Sequence, residues 1–395
     1  MTSPEVLPVP LSAPLSAVPG DLPAYVYDLA ALDAHAAAVR AALDGVELYY
    51  AVKANPDAEL LRVLAPHVDG FEVASGGELA HVRALFPDTP VALGGPGKTD
   101  AELLADVTRL HVESPSELRR LLAPGPSRRR PADVLLRVNL DVPVEGASLA
   151  MGGGATPFGM DPDGVAECLD LLSPPGGHDG RGPDGHGPDG HGPDGHGPVR
   201  LRGIHAHLAS GLDAARMLEL AAAVLDYARG LGVTEVNLGG GMAVSYTDPV
   251  ARFDWKTYGE GLAALRRPGE VLRIEPGRAL TVYCGRYVTR VIDVKRVHGE
   301  LFAVVAGGTH HIRTPATKGH DQPLAAWTSA GGPGGHGEPV TIVGQLCTPK
   351  DVLARRVPVR LEAGDVVEFA MAGAYAWNIS HHDFLMHPEP AFHYR

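Results

Sequence analysis

Cysteine is scarce in this chain of 395 residues: Cys168, Cys284 and Cys347 are three, odd in number and far apart. That excludes a disulfide framework and fits a reducing cytoplasm. Basic charge is also short, with 34 Lys and Arg against 47 Asp and Glu and a net charge of −13. Nucleic acid and anionic membrane are therefore not expected as partners. No apolar run is long enough to span a bilayer. The opening "MTSPEVLPVPLSAPLSAVPGDLP" has neither a basic start nor an apolar core, so no signal peptide is expected. The length is too great for one small domain and suggests two.

What is present is a repeating pattern. Apolar β-rich runs alternate with amphipathic helical stretches from about Val46 to Arg278. The runs are "VELYYAVK", "GFEVAS", "PVALGG", "RLHVES", "DVLLRVNL", "LRGIHAHLAS", "TEVNLGGG" and "VLRIEPGR", and helical segments such as "DAELLRVLAPH" and "TDAELLADVTRL" separate them. Eight such units predict a (β/α)8 TIM barrel, whose chemistry sits at the C-terminal strand ends. Those ends carry Lys53, Glu72, Arg137, His205, His207, the turn Gly239–Gly241, Glu275 and Arg278. A lysine ending the apolar run "YYAVK" needs a reason, and an active-site mouth supplies one.

After Arg278 the runs are β-rich with no long helix between them, which predicts a second, all-β domain over 279–395. Residues 1–25 are expected to add a strand to it, leaving 26–278 as the barrel. Within the barrel, 176–198 repeats Gly-Pro-Asp-Gly-His. This insertion cannot build a core and reads as a disordered loop. Its histidines, on Gly-Pro spacing, are not preorganised for a metal. A shorter glycine-rich stretch at 331–337 reads as a linker in the same way.

A lysine, an acid, a histidine pair and a glycine turn on one rim suggest a cofactor that carries both a phosphate and an aldehyde. Glycines let backbone N–H groups approach a phosphate. A desolvated lysine near other cations loses its proton and can form a Schiff base. Glu275 can pair with a protonated pyridine nitrogen and keep the ring an electron sink.

The blocks "YYAVKANP", "HAHLASG", "VNLGGG", "EPGRAL", "GQLCTPKD" and "AGAYAW" stand in that order over nearly the whole chain. In this the sequence resembles the fold-type III pyridoxal-phosphate decarboxylases, the family of ornithine and diaminopimelate decarboxylases. The resemblance implies an alanine racemase-like barrel, a C-terminal β domain and a carboxy-lyase activity with pyridoxal 5'-phosphate as cofactor. It implies that Lys53 is the Schiff-base lysine and that His207 stacks on the cofactor ring. Ser210, Gly239, Gly240, Gly241, Gly277, Arg278 and Tyr375 would hold the phosphate, and Glu275 would meet the ring nitrogen. Cys347 would act as the acid in the partner's site of a homodimer with shared sites; a thiol near its normal pKa can donate at neutral pH. Cys168 and Cys284 read as small buried apolar residues.

The substrate end departs from the better-known branches. Thr348 follows Cys347 where diaminopimelate decarboxylases carry a glutamate, and "GGTHHIRTPAT" keeps Arg313 but lacks their tyrosine. No aspartate stands where ornithine-type enzymes hold a distal amine. His310, His311 and Arg313 suggest a cationic pocket for a carboxylated side chain, with Asp351 and Arg278 as further substrate contacts. The blocks "GGPGKTD", "GQLCTPKDVLA" and "ISHHDFLMHPEP" look most like a siderophore-biosynthesis branch acting on citryl-diaminopropionate. His381 and His382 are adjacent, a poor spacing for one ion, and no metal is expected. Alanine racemase shares the barrel but follows its lysine differently from Asn55-Pro56-Asp57. A non-catalytic cofactor carrier of this fold would lack the β domain.

Overall fold

Eight short, largely apolar strands close on themselves in the computed structural model. It describes residues 20–124, 130–142, 149–150 (backbone only), 153–173, 198–313 and 322–395. All but the last residue of the Gly-Pro-Asp-Gly-His insertion, and the segment before Gly20, lie outside the described residues.

The described chain starts with strand β1 (Ala24–Tyr27). The barrel strands β2 (Val46–Ala51), β3 (Gly70–Val73), β4 (Val91–Leu93), β5 (Arg109–Val112) and β6 (Ala132–Arg137) follow. The two-residue β7 (Leu149–Ala150), β8 (Val199–His205), the two-residue β9 (Ala209–Ser210), β10 (Glu235–Asn237) and β11 (Val271–Ile274) complete this half. The closed order is β10-β11-β2-β3-β4-β5-β6-β8, all pairs parallel, while β7 and β9 pair outside it. Each expected run supplies one strand, and the TIM barrel is observed.

Helices begin close behind the strands because capping side chains stand there. Asp57, Ser75 and Ser114 each accept a backbone N–H of the helix they start. The helix expected over "TDAELLADVTRL" is a single turn, Asp100–Leu103. Val107 to Val112 instead turns toward and enters β5, whose register against β4 claims those residues.

The second sheet contains β12 (Gly285–Val297), β13 (Glu300–Val305), β14 (Leu324–Trp327), β15 (His336–Val343), β16 (Val352–Val359), β17 (Val366–Phe369) and β18 (Ala391–Tyr394). The order is β14-β17-β12-β13-β15-β16, with β1 pairing both β12 and β18. β1 therefore belongs to the sheet through Tyr27, and the helix Leu29–Ala42 carries the chain across to the barrel. The glycine-rich stretch at 331–337 is not a slack linker. Thr328 N–H donates to Gly332 O and Gly334 N–H to Ala326 O, forming a tight turn. Gly337 already lies in β15, where a Cβ would come 2.6 Å from Arg360 N.

The N-terminal end of the barrel is closed by charge. Arg109 Nε donates to Glu235 Oε1 at 2.7 Å, and Arg273 Nη1 to the same oxygen at 2.9 Å. Arg273 is 2% exposed, bonds Glu47 and lies 4.5 Å over the Tyr49 ring. Burial alone would raise the Glu235 carboxyl, but the Arg109 and Arg273 contacts outweigh it and hold it below the usual range. That contribution is complete above the unfolded carboxyl value of about 4.3 and is lost as pH falls from there through the folded value. Glu235→Gln should lower stability at pH 7 by about 3 kcal/mol, because it leaves two buried guanidinium groups short of a counter-charge. Denaturant unfolding should show the gap between variant and wild type shrinking below about pH 4. An unchanged midpoint at pH 7 would mean that this network does not hold the barrel floor.

Candidate active site

Lys53 does not end β2 as strand. Val52–Ala54 forms one 3-10 turn directly after it, swinging the lysine side chain into the barrel mouth. Three hydrogen bonds tie this turn to the loop after β17. Tyr375 N–H donates to Ala54 O at 2.8 Å, Asn378 Nδ2 to Lys53 O at 2.7 Å and Asn55 Nδ2 to Gly373 O at 3.0 Å. Tyr375 holds a φ of +50°, a strained value for a residue with a side chain, and lies among these bonds.

Lys53 Nζ donates to Glu72 Oε2 at 2.8 Å, with the lysine side chain 45% exposed through the mouth and the Glu72 side chain 5% exposed. Protein surroundings work against the ammonium, but Glu72, helped by Tyr375 and Glu275, overrides them and raises the lysine above its ordinary value. The expected deprotonated lysine is therefore corrected: with an acid against it instead of cations, it is a charged ion-pair partner. Burial pushes the Glu72 carboxyl up while Lys53 pulls it back.

His207 follows β8 and is half-buried. Its Nδ1 accepts the Gly240 N–H at 3.1 Å, which places the ring proton on Nε2. Burial, with the charges of Lys53 and Arg137, lowers it to about 4, so it is neutral at pH 7. Arg137, at the end of β6, is itself paired with the buried Glu113 at 2.7 Å.

The three glycines are a packing device as well as a turn. Gly239 and Gly241 have φ of +67° and +110°. A Cβ on Gly241 would stand 2.1 Å from Ala209 O, and one on Gly240 2.6 Å from Glu275 O. The Gly239 N–H donates to Asn237 Oδ1 and the Gly240 N–H to His207 Nδ1, so two of the amides expected for a phosphate serve internal contacts. Among the described residues the Gly241 N–H meets no acceptor. Gly277 starts the one-turn helix Arg278–Thr281, and no side chain caps it. Here too a Cβ would collide, 2.8 Å from Ala54 Cβ.

Arg278 donates to Tyr246 OH at 2.8 Å and lies 4.7 Å over the Tyr375 ring. No carboxylate among the described residues pairs with it. Bare amides, a guanidinium without an acid and a cradle that excludes Cβ atoms fit a phosphate. Ser210, on β9, is half-buried beside the glycine turn, since Gly241 packs against its Cα. Glu275, just past β11, has its Oε1 2.5 Å from Asn237 Nδ2 and its Oε2 3.2 Å from His205 Nε2.

A family model described as "Pyridoxal-dependent decarboxylase, C-terminal sheet domain" matches residues 24–373. The chain belongs to that family. A decarboxylase of this family from Staphylococcus aureus, 2-[(L-alanin-3-ylcarbamoyl)methyl]-2-hydroxybutanedioate decarboxylase, is 36% identical over 94% of this chain and 93% of its own. L-glutamyl-[BtrI acyl-carrier protein] decarboxylase of Niallia circulans is 29% identical over 94% of this chain and 88% of its own. The crystal structure of diaminopimelate decarboxylase from Helicobacter pylori with L-lysine matches with a TM-score of 0.75 at 22% identity, over 91% of this chain and 88% of that one. The chain is thus a pyridoxal-phosphate-dependent decarboxylase with the barrel-and-sheet fold.

In this decarboxylase the residues expected at the substrate end do not form an open cationic pocket. His310 is fully buried, and both its ring nitrogens lack partners among the described residues. His311 lies with Nδ1 3.2 Å from Tyr287 OH and Nε2 2.9 Å from Pro388 O. Burial lowers both imidazoles to about 4, so neither is a cation at pH 7. Asp351 is buried, and each of its oxygens accepts a backbone amide: Oδ1 the Thr309 N–H at 2.6 Å and Oδ2 the Leu346 N–H at 2.8 Å. It braces two loops. Arg313 is exposed, the one cation of that group.

Cys347 is exposed on the loop after β15, whereas Cys168 and Cys284 are buried. Lys350 shares that loop, which Asp351 holds. His382 stacks on Trp377 at 3.7 Å and 3°, as a packing partner, while His381 is exposed. Asn55, Glu113 and Asn378 carry no expected role, although Asn55 stands in the block "YYAVKANP" and Glu113 near the end of the run "RLHVES". Their contacts alone reveal what they do.

Glu72→Gln removes the charge that keeps Lys53 protonated. In the cofactor-free protein, Lys53 should react with an amine-selective acylating reagent at least about ten-fold faster at pH 8, since a lost counter-charge is worth one or more pKa units. Mass spectrometry of the Lys53 peptide reads the rate; an unchanged rate would mean that Glu72 does not control the amine.

Proposed function

We propose that this decarboxylase acts on an amino acid whose side chain ends in carboxylates, such as citryl-diaminopropionate, in siderophore biosynthesis. The observation that carries this is the 36% identity, end to end, to the Staphylococcus aureus enzyme. The name of that enzyme describes a substrate with an L-alanin-3-yl group joined through an amide to 2-hydroxybutanedioate. One end is an amino acid; the other carries two carboxylates. The proposed setting is the cytoplasm, and the proposed assembly a homodimer; no described helix is long and apolar enough to cross a membrane.

Pyridoxal phosphate, when bound, supplies an aldehyde that joins the substrate amine and a ring that takes up the electrons released with carbon dioxide. Lys53 Nζ holds and moves the proton at the amine, with Glu72 Oε2 as its charge partner 2.8 Å away. The neutral His207 ring, fixed through Nδ1 by Gly240 N–H, offers a flat apolar face that packs against the cofactor and shields it from water. Glu275, secured by Asn237, places a carboxylate where a ring nitrogen is to be kept protonated. Ser210, Gly241, Gly277, Arg278 and Tyr375 hold the phosphate. Arg313 meets the distal carboxylates at the mouth. The exposed Cys347 thiol reaches the partner's site and returns a proton to the substrate carbon.

A substrate panel scored for carbon dioxide release tests the reaction. The citryl-linked amino acid should exceed diaminopimelate and ornithine in kcat/KM by at least about ten-fold, the scale at which contacts in a pocket discriminate. Faster turnover of diaminopimelate would overturn the substrate.

Mixing tests the shared sites. Lys53→Ala and Cys347→Ala homodimers are both crippled, yet subunit exchange gives mixed dimers with one intact site each. Random pairing makes half the dimers mixed, so activity should approach about a quarter of wild type. Exchange without recovery would place the lysine and cysteine in one subunit's site, or remove the thiol as the acid.

A further inference from the structure

Among the described residues, three imidazole nitrogens deep in the barrel have no hydrogen-bond partner: His111 Nε2, His205 Nδ1 and His205 Nε2. The residues are 1% and 4% exposed. Buried polar atoms without partners are rare and call for an account. The two rings stack at 4.1 Å with 10° between planes, joining β5 and β8 over the intervening β6. Both face one group. Glu275 Oε2 is 3.2 Å from His205 Nε2, and Glu275 Oε1 is 3.8 Å from His111 Nε2. The first distance is within hydrogen-bond range, but its direction falls short of a formed bond.

Two readings fit such a trio, whose ligand atoms lie within 4.8 Å of one another. The first is a metal site. An imidazole lone pair lies in the ring plane, and two nearly parallel stacked rings direct theirs within nearly parallel, separate planes. Lines in such planes do not converge on one ion at about 2 Å from both nitrogens. The second reading needs only a small movement. The terminal torsion of a glutamate is soft, so a rotation of the Glu275 carboxylate brings Oε2 into line with His205 Nε2. Asn237 Nδ2 already holds Oε1 at 2.5 Å. A carboxylate has about four acceptor sites, so both contacts leave room for a third donor.

We propose that His205, held flat by its stack on His111, is the positioning residue for Glu275, donating Nε2–H to Oε2 when the carboxylate turns to meet the cofactor's ring nitrogen. This rests on the reading of Glu275 as the partner of that nitrogen. A neutral imidazole suits the task because it lends a proton donor without lending a charge. Burial keeps both rings neutral at pH 7, pushing each well below its ordinary value. A charged ring would neutralise Glu275 and weaken its hold on the nitrogen's proton. His111 contributes its face, so a phenyl ring should replace it; His205 contributes an N–H, so a phenyl ring should not.

The test compares His205→Asn, which keeps an N–H donor, with His205→Phe, which keeps only the ring. The apo protein is titrated with pyridoxal phosphate, and 15N NMR of ring-labelled cofactor reads the protonation of its nitrogen. His205→Phe should bind the cofactor at least about ten-fold more weakly than His205→Asn, the scale of a hydrogen bond to a charged group. Its nitrogen signal should move toward the unprotonated position, while His111→Phe stays within about three-fold of wild type. Equal affinity and equal shift in the two His205 variants would overturn the proposal. If His205→Phe does not fold, His205→Gln against His205→Leu makes the same comparison. Glu275→Gln separates the underlying reading: an unchanged nitrogen signal there defeats the assignment of Glu275, whereas a moved signal with silent His205 variants defeats only this inference. Zinc that displaces the cofactor at equimolar concentration would make the trio a metal site and overturn the proposal as well.

Discussion

Three hydrogen bonds between the Lys53 turn and the loop at 373–378 join the barrel to the sheet, and the site depends on that joint. The lysine is not simply the last residue of a strand. Its backbone oxygen, that of Ala54 and the Asn55 side chain are held by a loop more than 300 positions away in the chain. The same loop brings Tyr375 over Arg278, so the Arg278 guanidinium and the lysine turn are held by one loop. β1 reinforces the joint, because it pairs with β12 and β18 before the chain enters the barrel.

Charge follows a clear division between the two ends of the barrel. At the floor, Glu235, Arg109, Arg273 and Glu47 neutralise one another in a closed network. At the mouth, Lys53 with Glu72 and Arg137 with Glu113 are paired, while Arg278 has no acid among the described residues. The histidines of the mouth are neutral because burial denies them a proton. A pocket so arranged leaves the Arg278 guanidinium without a carboxylate partner among the described residues and the Glu275 carboxylate without a charged guanidinium or ammonium against it. Desolvation therefore supports function twice, by keeping imidazoles uncharged and by strengthening the few charges left.

Much of this was legible in the residues. Strand after strand, a run such as "VELYYAVK" ended in a polar residue, and the barrel brought those ends to one rim, as the period of the pattern requires. Glu275 and the glycine turn came together for the same reason. Less legible were the partners. Glu72 was visible as a rim residue, but only the pairing of β2 with β3 puts it 2.8 Å from Lys53 and reverses the expected charge state. His310, His311 and Arg313 read as a cationic pocket because histidine and arginine cluster there in sequence. In the fold, the two histidines are buried and neutral, Arg313 alone stays exposed, and Asp351, read as a further substrate contact, accepts two backbone amides.

The sequence by itself determined the number and order of the barrel strands, the presence of a second β domain and the residue types available at the mouth. Those follow from local pattern, since alternation, capping and glycine conformations are properties of short segments. Tertiary structure alone decided which of those residues are charged, which amides are free and which side chains act as braces. These depend on burial and on partners distant along the chain, such as Gly373 for Asn55 or Tyr287 for His311. Solvation and pair energies are set by three-dimensional neighbours, and no local window of sequence contains them.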